Sequence, residues 1–401
     1  MTFHDGSKLD AAAVKKSLAR LVDEDAPSKP VERPYRKGFF GDVTGIKVDG
    51  NAVTITLKGP NPRFLSNIGI HPAMIVSPKA IDHMATITNP AERSSWLTSH
   101  PAGTGPYTIA SGGDYKESGA NLTLTSFPGY WDGAPKIERV VFQTQAEVRQ
   151  RTQRLIAGDI QFTDNLDPGD WADLESNKDV TLHTWQGMNL CYLAMNVPAE
   201  NGHVTANRNV REAIALAINR DPMVAKFSGK AVSQHVLLPP PSLGFPKGYK
   251  PPTDTVPREE AIARARTLIK EAEAEGAKLE LLMPDVARPY LLYPDEIANL
   301  IQQQLKEVGL EVTLAKSPMS EITGRVKSGK FALVLLGWMG DSGEPDNFWR
   351  PLLGGSDGKP APLNAARFYN EEVMARMDAA GVETDETRRQ KSYEDLEKMG
   401  V

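Results

Sequence analysis

The chain has 401 residues, 40% of them hydrophobic and 24% charged, with one cysteine and a formal net charge of −5. Chains of this length divide into more than one core, and the apolar fraction is enough to build them. With 46 Lys+Arg against 51 Asp+Glu there is no basic excess to follow a phosphate backbone, so nucleic acid is not an expected partner. The apolar run Ala332–Leu336 falls far short of a membrane span, and Cys191 alone makes neither an intramolecular disulfide nor a cysteine-only metal cage.

In chain order, Asp10 is placed to cap a helix carrying Val14, Leu18 and Leu21 at helical spacing. Residues 46–48 and 52–58 read as a hairpin around Asp49-Gly50-Asn51, with Val53, Ile55 and Leu57 on its buried face. The stretch from Gly59 to Pro106 gives no clear pattern. Strands are expected at 107–110, 121–127 and 137–142, a helix at 146–157 ended by Gly158, a strand at 160–162 and a short helix at 171–174. Residues 189–197 read as a buried strand, which makes Cys191 a core residue. Asn207 caps a helix running to Asn219, and Asp221-Pro222 starts another. The prolines between Pro239 and Pro252 read as an extended surface excursion.

Residues 257–348 are the most informative. Helix 258–275, strand 278–283, helix 295–308, strand 310–315, helix 320–328 and strand 331–336 alternate, which predicts parallel strands with right-handed crossovers in an α/β fold. Residues 393–401 read as a helix cut in mid-course.

Ligands of open parallel sheets bind beyond the carboxyl ends of the strands. The strand ending at Met283 leads to Arg288, and the strand ending at Leu336 leads to Trp338 and Asp341. A guanidinium, a carboxylate and an aromatic face on one sheet edge suit a small zwitterion: the guanidinium matches a carboxylate and the aspartate an ammonium. The plain alternative is that both charges are solvated loop residues, or pair with each other. Other motifs carry less. Gly354-Gly355-Ser356-Asp357-Gly358 matches the nucleophile-elbow pattern, but Lys359-Pro360-Ala361-Pro362 follows where a helix must begin. Gly103-Thr104-Gly105-Pro106 lacks a phosphate-loop ending, and the seven histidines show no metal-ligand spacing, so neither a metal nor a cofactor is expected.

Several segments, in order, carry a resemblance: Phe3-His4-Asp5-Gly6, Gly103-Thr104-Gly105-Pro106-Tyr107, Tyr130-Trp131, Asn189 to Asn196, Val210-Arg211-Glu212-Ala213, Leu238-Pro239-Pro240, and above all Gly337-Trp338-Met339-Gly340-Asp341-Ser342-Gly343-Glu344-Pro345-Asp346-Asn347-Phe348. On these residues the chain resembles the family 5 extracellular solute-binding proteins of bacterial ABC importers, the dipeptide and oligopeptide binders. The resemblance implies a periplasmic binding protein-like fold (type II, cluster C) with mixed-sheet lobes around a ligand cleft. Residues 1–102 would form a small accessory lobe, 103–188 part of the first large lobe and 189–401 the second. It implies a receptor, not an enzyme, that is monomeric, periplasmic or extracellular, and associated with the membrane only through permease subunits. Its ligand would be a dipeptide or short peptide, with a longer peptide, glutathione or an opine as alternatives and a Ser356 hydrolase as the remote one. A role in presenting ligand to a chemosensor is a further possibility. The resemblance assigns Asp341 to the peptide amino group, Arg288 (in Arg288-Pro289-Tyr290) to its carboxylate and Trp338 to the pocket wall, with Gly340 and Asn196 also at the site. Departures are the single cysteine, Val197 in place of a threonine, and an expected lack of leader, first large-lobe strands and returning C-terminal segment.

Overall fold

The computed structural model describes residues 1–22, 39–109, 121–145, 147–198, 200 and 202–399. Ala110, Ala146 and residues 400–401, which the sequence assigns to a strand and two helices, lie outside the described residues. The chain forms two compact units, Met1–Ala146 and Glu147–Val401, so the boundary falls inside the 103–188 stretch read above as one lobe segment.

In the first unit, helix α1 (Ala11–Val22) begins where the Asp10 carboxylate accepts from the Ala13 N–H at 3.0 Å. Strands β1 (Val43–Asp49) and β2 (Ala52–Leu57) pair antiparallel, closing across Gly50, whose φ of +55° suits a residue without a Cβ. The stretch that gave no clear pattern folds as short helices α2 (Phe64–Ile68), α3 (Pro78–Thr86) and α4 (Pro90–Ser99). Strands β3 (Tyr107–Ile109), β4 (Leu122–Ser126) and β5 (Arg139–Phe142) form an antiparallel sheet. Two segments of the resemblance lock together here: the His4 N–H donates to the Gly103 carbonyl at 2.9 Å, and His4 Nε2 donates to the Gly105 carbonyl at 2.9 Å.

The second unit opens with α5 (Val148–Ile156) and α6 (Trp171–Ser176). The strand expected at 160–162 does not form; Phe162 is 81% exposed and the segment joins no sheet. There follow β6 (Asn189–Met195), α7 (Arg208–Ala217), α8 (Asp221–Ala225), α9 (Arg258–Glu271), β7 (Lys278–Pro284), α10 (Pro294–Glu307), β8 (Glu311–Ser317), α11 (Met319–Ser328) and β9 (Leu333–Met339). Helix α9 stops short of the expected Glu275 because Glu273 turns left-handed, at φ +52°. Helix α12 (Asp346–Leu353), the two-residue strands β10 (Gly355–Ser356) and β11 (Lys359–Pro360), α13 (Glu371–Val382) and α14 (Glu386–Glu397) complete the unit. The helix expected at 393–401 therefore begins earlier, at Glu386, and closes at Glu397.

The central sheet has the order β6-β9-β7-β8. Strand β7 pairs parallel with both β8 and β9, as the alternating pattern predicts, and β6 joins β9 antiparallel. Apolar side chains cover both faces. Leu279, Leu281, Met283, Leu333 and Leu335 pack under α7, α9 and α10, while Leu282, Val334 and Leu336 pack with Ile322 and Val326 of α11. Residues of odd and even position on one strand thus enter different clusters, the period-two rule of a sheet buried on both sides. Crossovers on opposite faces leave the carboxyl ends of β7 and β9 side by side at one edge.

A third cluster joins Leu190, Phe348, Trp349, Leu352, Met377, Tyr393 and Leu396. Buried within it, Glu397 accepts from Trp349 Nε1 and from the Leu237 N–H, each at 2.6 Å. Burial pushes its carboxyl up to about 7, against those two stabilising donors. The folded chain therefore holds a proton that the unfolded chain releases near 4.5, so this group's contribution to stability falls as pH rises from about 4.5 to about 7 and is level above that. The drop is expected to be roughly 3 kcal/mol. Chemical denaturation of wild type and Glu397→Gln across pH 4–8 should show the difference between them falling over that window; a flat difference contradicts the titration.

Candidate functional site

After β7 the chain makes a tight reversal. Arg288 and Leu291 exchange both backbone hydrogen bonds, at 3.0 and 2.8 Å, with Pro289 at the second turn position, where a fixed φ is favoured. Leu291 is buried in the core and anchors the turn. The Arg288 side chain is half-buried; its Nε is buried and makes no hydrogen bond, and it forms no ion pair among the described residues.

Tyr290, in the same turn, connects this loop to the neighbouring strand. Its ring lies against the backbone of Gly337 in β9: a Cβ there would stand 2.2 Å from Tyr290 Cδ2 and 2.5 Å from the Leu190 carbonyl oxygen. Burial pushes the Tyr290 hydroxyl up, and the nearby Arg288 guanidinium opposes that shift. The contact seats the Arg288 turn beside the residue preceding Trp338.

Trp338 is half-buried, paired in register with Leu190 and packed against the third cluster. Beyond it, the Gly340 N–H donates to the Met188 carbonyl at 3.0 Å, and a Cβ on Gly340 would lie 3.0 Å from Phe348 Cζ. Gly340, expected at the site, thus has its N–H spent on Met188, and its lack of a Cβ lets the chain pass close to Phe348. Asp341 is exposed. Its N–H donates to Asn347 Oδ1 at 2.8 Å, and Asn347 Nδ2 donates to Asp341 Oδ2 at 3.1 Å. Asp341 has no cationic partner among the described residues. Asn347 is buried, at the start of α12, and its role was not foreseen; it stands in the run that carries the resemblance, but only the fold shows it facing back to Asp341.

Two expectations are corrected. Asn196 is fully buried, and its amide donates to the Gly329 and Phe331 carbonyls at 2.9 and 2.7 Å. Those carbonyls precede β9, at the sheet edge opposite Asp341, so Asn196 supports the fold and does not reach the site. Cys191, expected in the core, is exposed. Strand β6 is an edge strand whose Leu193 and Met195 pack against the helix-covered core. Ser356 sits in the β10–β11 hairpin, whose turn residues Asp357 and Gly358 have φ of 53° and 73°. This is a hairpin turn, without the strand-to-helix geometry of a nucleophile elbow. Among the described residues no three His, Cys, Asp or Glu side chains are grouped to hold a metal, and no helix is long and apolar enough to cross a membrane.

Residues 1–360 match the model of the bacterial extracellular solute-binding proteins, family 5. The chain belongs to this family. It is 29% identical over 309 residues to the dipeptide-binding protein of Escherichia coli (strain K12), covering 77% of this chain and 55% of that protein. It is 29% identical over 404 residues to a glutathione-binding protein of Pectobacterium atrosepticum, covering 98% of this chain and 72% of that protein. The dipeptide-binding protein of Pseudoalteromonas sp. SM9913, solved with Met-Leu, superposes with a TM-score of 0.82 at 22% identity, over 99% of this chain and 78% of that one. The fold is that of the periplasmic binding proteins, and these family 5 relatives are named as binding proteins.

The Tyr290–Gly337 contact gives a direct test. Gly337→Ala forces a methyl into the ring and toward the Leu190 carbonyl, and is expected to cost about 1–3 kcal/mol in denaturant unfolding. Unchanged stability would mean that the ring does not rest on this strand.

Proposed function

We propose that this chain belongs to the receptor of an ABC importer that captures dipeptides by their charged termini. The observation that carries the reading is a complementary pair of unpartnered charges: Arg288 follows β7 and Asp341 follows β9, and neither has an opposite charge among the described residues. The parallel neighbours β7 and β9 and the Tyr290–Gly337 contact bind the two loops into one edge. An extended dipeptide spans about 7 Å, at ~3.3–3.6 Å per residue. Arg288 takes its carboxylate in bidentate geometry, Asp341 takes its ammonium, and Trp338 offers an apolar wall. Such a site reads the termini and tolerates varied side chains.

In this reading the protein binds and delivers, without catalysis, outside the cytoplasmic membrane, and its partners are permease subunits. The family membership supports the placement and the role. The likeness to a dipeptide-binding protein supports the ligand class. A second reading, glutathione, is favoured by the longer reach of the match to glutathione-binding relatives, 98% of the chain. Glutathione also offers an ammonium and carboxylates.

Mass spectrometry of ligand released from the full-length protein separates the two: dipeptides support the first reading and glutathione the second. In calorimetry, Arg288→Ala and Asp341→Ala should each weaken dipeptide binding by roughly 2–5 kcal/mol. Unchanged affinity in either variant removes that residue from the site. N-acetylation of the peptide should abolish binding, since the ammonium that Asp341 accepts is gone; equal competition by acetylated and free peptide contradicts the amino anchor.

A further inference from the structure

The segment that carries Asp341 holds three carboxylates within six residues: Asp341, Glu344 and Asp346. A single ligand ammonium needs one. The other two are neutralised from behind. Glu344 pairs with Arg389 of α14, and the two side chains are only 14% and 7% exposed. Asp346 accepts from Arg350 Nε at 2.9 Å and from the Tyr393 hydroxyl at 2.7 Å, while Arg350 also reaches Asp378 of α13 at 2.9 Å. The Arg389 guanidinium lies 5.7 Å from the centre of the Tyr393 ring, so the two pairs share one wall of α14.

A continuous set of contacts leads from this wall to Asp341. Arg389 holds the Glu344 carboxylate, the Glu344 carbonyl accepts from the Asn347 N–H at 3.0 Å, and the Asn347 side chain holds Asp341 at 2.8 and 3.1 Å. We propose that Arg389 is a positioning residue for ligand capture: by pairing with Glu344 it fixes the loop so that Asp341 alone presents negative charge to the ligand ammonium. This rests on the reading of Asp341 as the amino anchor and adds the residue that orients it. Without Arg389, a nearly buried carboxylate is left uncompensated. Glu344 then turns to water and takes its carbonyl, and with it Asn347, away from Asp341.

The test uses the full-length protein with Ala-Phe as ligand, comparing wild type, Arg389→Gln and the double variant Glu344→Gln/Arg389→Gln by calorimetry between pH 7 and 9, alongside thermal unfolding. Across this range the ligand's α-amino group, with an ordinary pKa of about 8, loses its proton. Wild-type affinity should fall as the ammonium is lost. Arg389→Gln should weaken binding roughly tenfold at pH 7 and flatten the pH profile, because the misplaced Asp341 no longer distinguishes ammonium from amine. The double variant, a neutral hydrogen-bonding pair, should recover most of both. A loss of affinity by one constant factor at every pH, or none at all, overturns the proposal, as does a double variant with the defect of Arg389→Gln. Wild type that binds Ala-Phe with no pH dependence overturns the amino-anchor reading itself, and wild type that binds no dipeptide overturns the functional reading.

Discussion

The ring of Tyr290 rests on the bare backbone of Gly337, and the candidate site depends on that contact. It is possible only because β7 and β9 run parallel as neighbours, so the turn after one strand falls beside the end of the other. A side chain at Gly337 would meet both the ring and the Leu190 carbonyl. The glycine therefore serves two partners at once: it admits the Arg288 turn on one side and keeps the β6–β9 ladder close on the other. Pro289 and the buried Leu291 make that turn rigid enough to hold a charged side chain at a fixed place.

The electrostatic design complements this. A loop dense in carboxylates would repel itself and have no defined position. Here Arg389, Arg350, Tyr393 and Asn347 account for Glu344, Asp346 and the backbone, and Asp341 is left exposed and aligned by an amide rather than by a cation. An amide holds a carboxylate without neutralising it, so the charge stays available to a ligand. Arg288 is arranged alike, set in place by backbone hydrogen bonds and packing and matched to no carboxylate among the described residues. The half-buried Arg288 invites an opposite charge from outside, since its solvation is already reduced, while the exposed Asp341 keeps its charge open to a ligand.

Beneath the site lies a second layer of polar chemistry. Glu397 joins Trp349 of α12 to the backbone at Leu237, at the start of the proline-rich stretch, with no cation beside it among the described residues. The last helix thus contributes Arg389, Tyr393 and Glu397 to three different supports of one region. This explains why a helix with a mostly polar sequence is built into the core: its buried face is small, but Arg389, Tyr393 and Glu397 on that face each hold a named partner.

Much of this was legible in the sequence. Apolar runs separated by amphipathic helices gave β7, α10, β8, α11 and β9 and their parallel sense, because strand and helix periods are local properties. The same order placed Arg288, Trp338 and Asp341 at strand ends, and the run from Gly337 to Phe348 gave the family. The tertiary structure decided which strands are neighbours and what each polar group faces. Asn196 lies in a segment shared with the family, yet its amide is spent on backbone at the far edge of the sheet. Cys191 looks like core in a strand of apolar residues, yet it keeps an exposed surface, though its crowded surroundings push the thiol up to about 12. Asn347 stands in the family run but carries no sign of its partner until α12 turns it back to Asp341, and Arg389 has no local signal because its partner Glu344 lies far away in sequence. Periodicity is set by neighbours along the chain; the pairing of buried charges is set by neighbours in space.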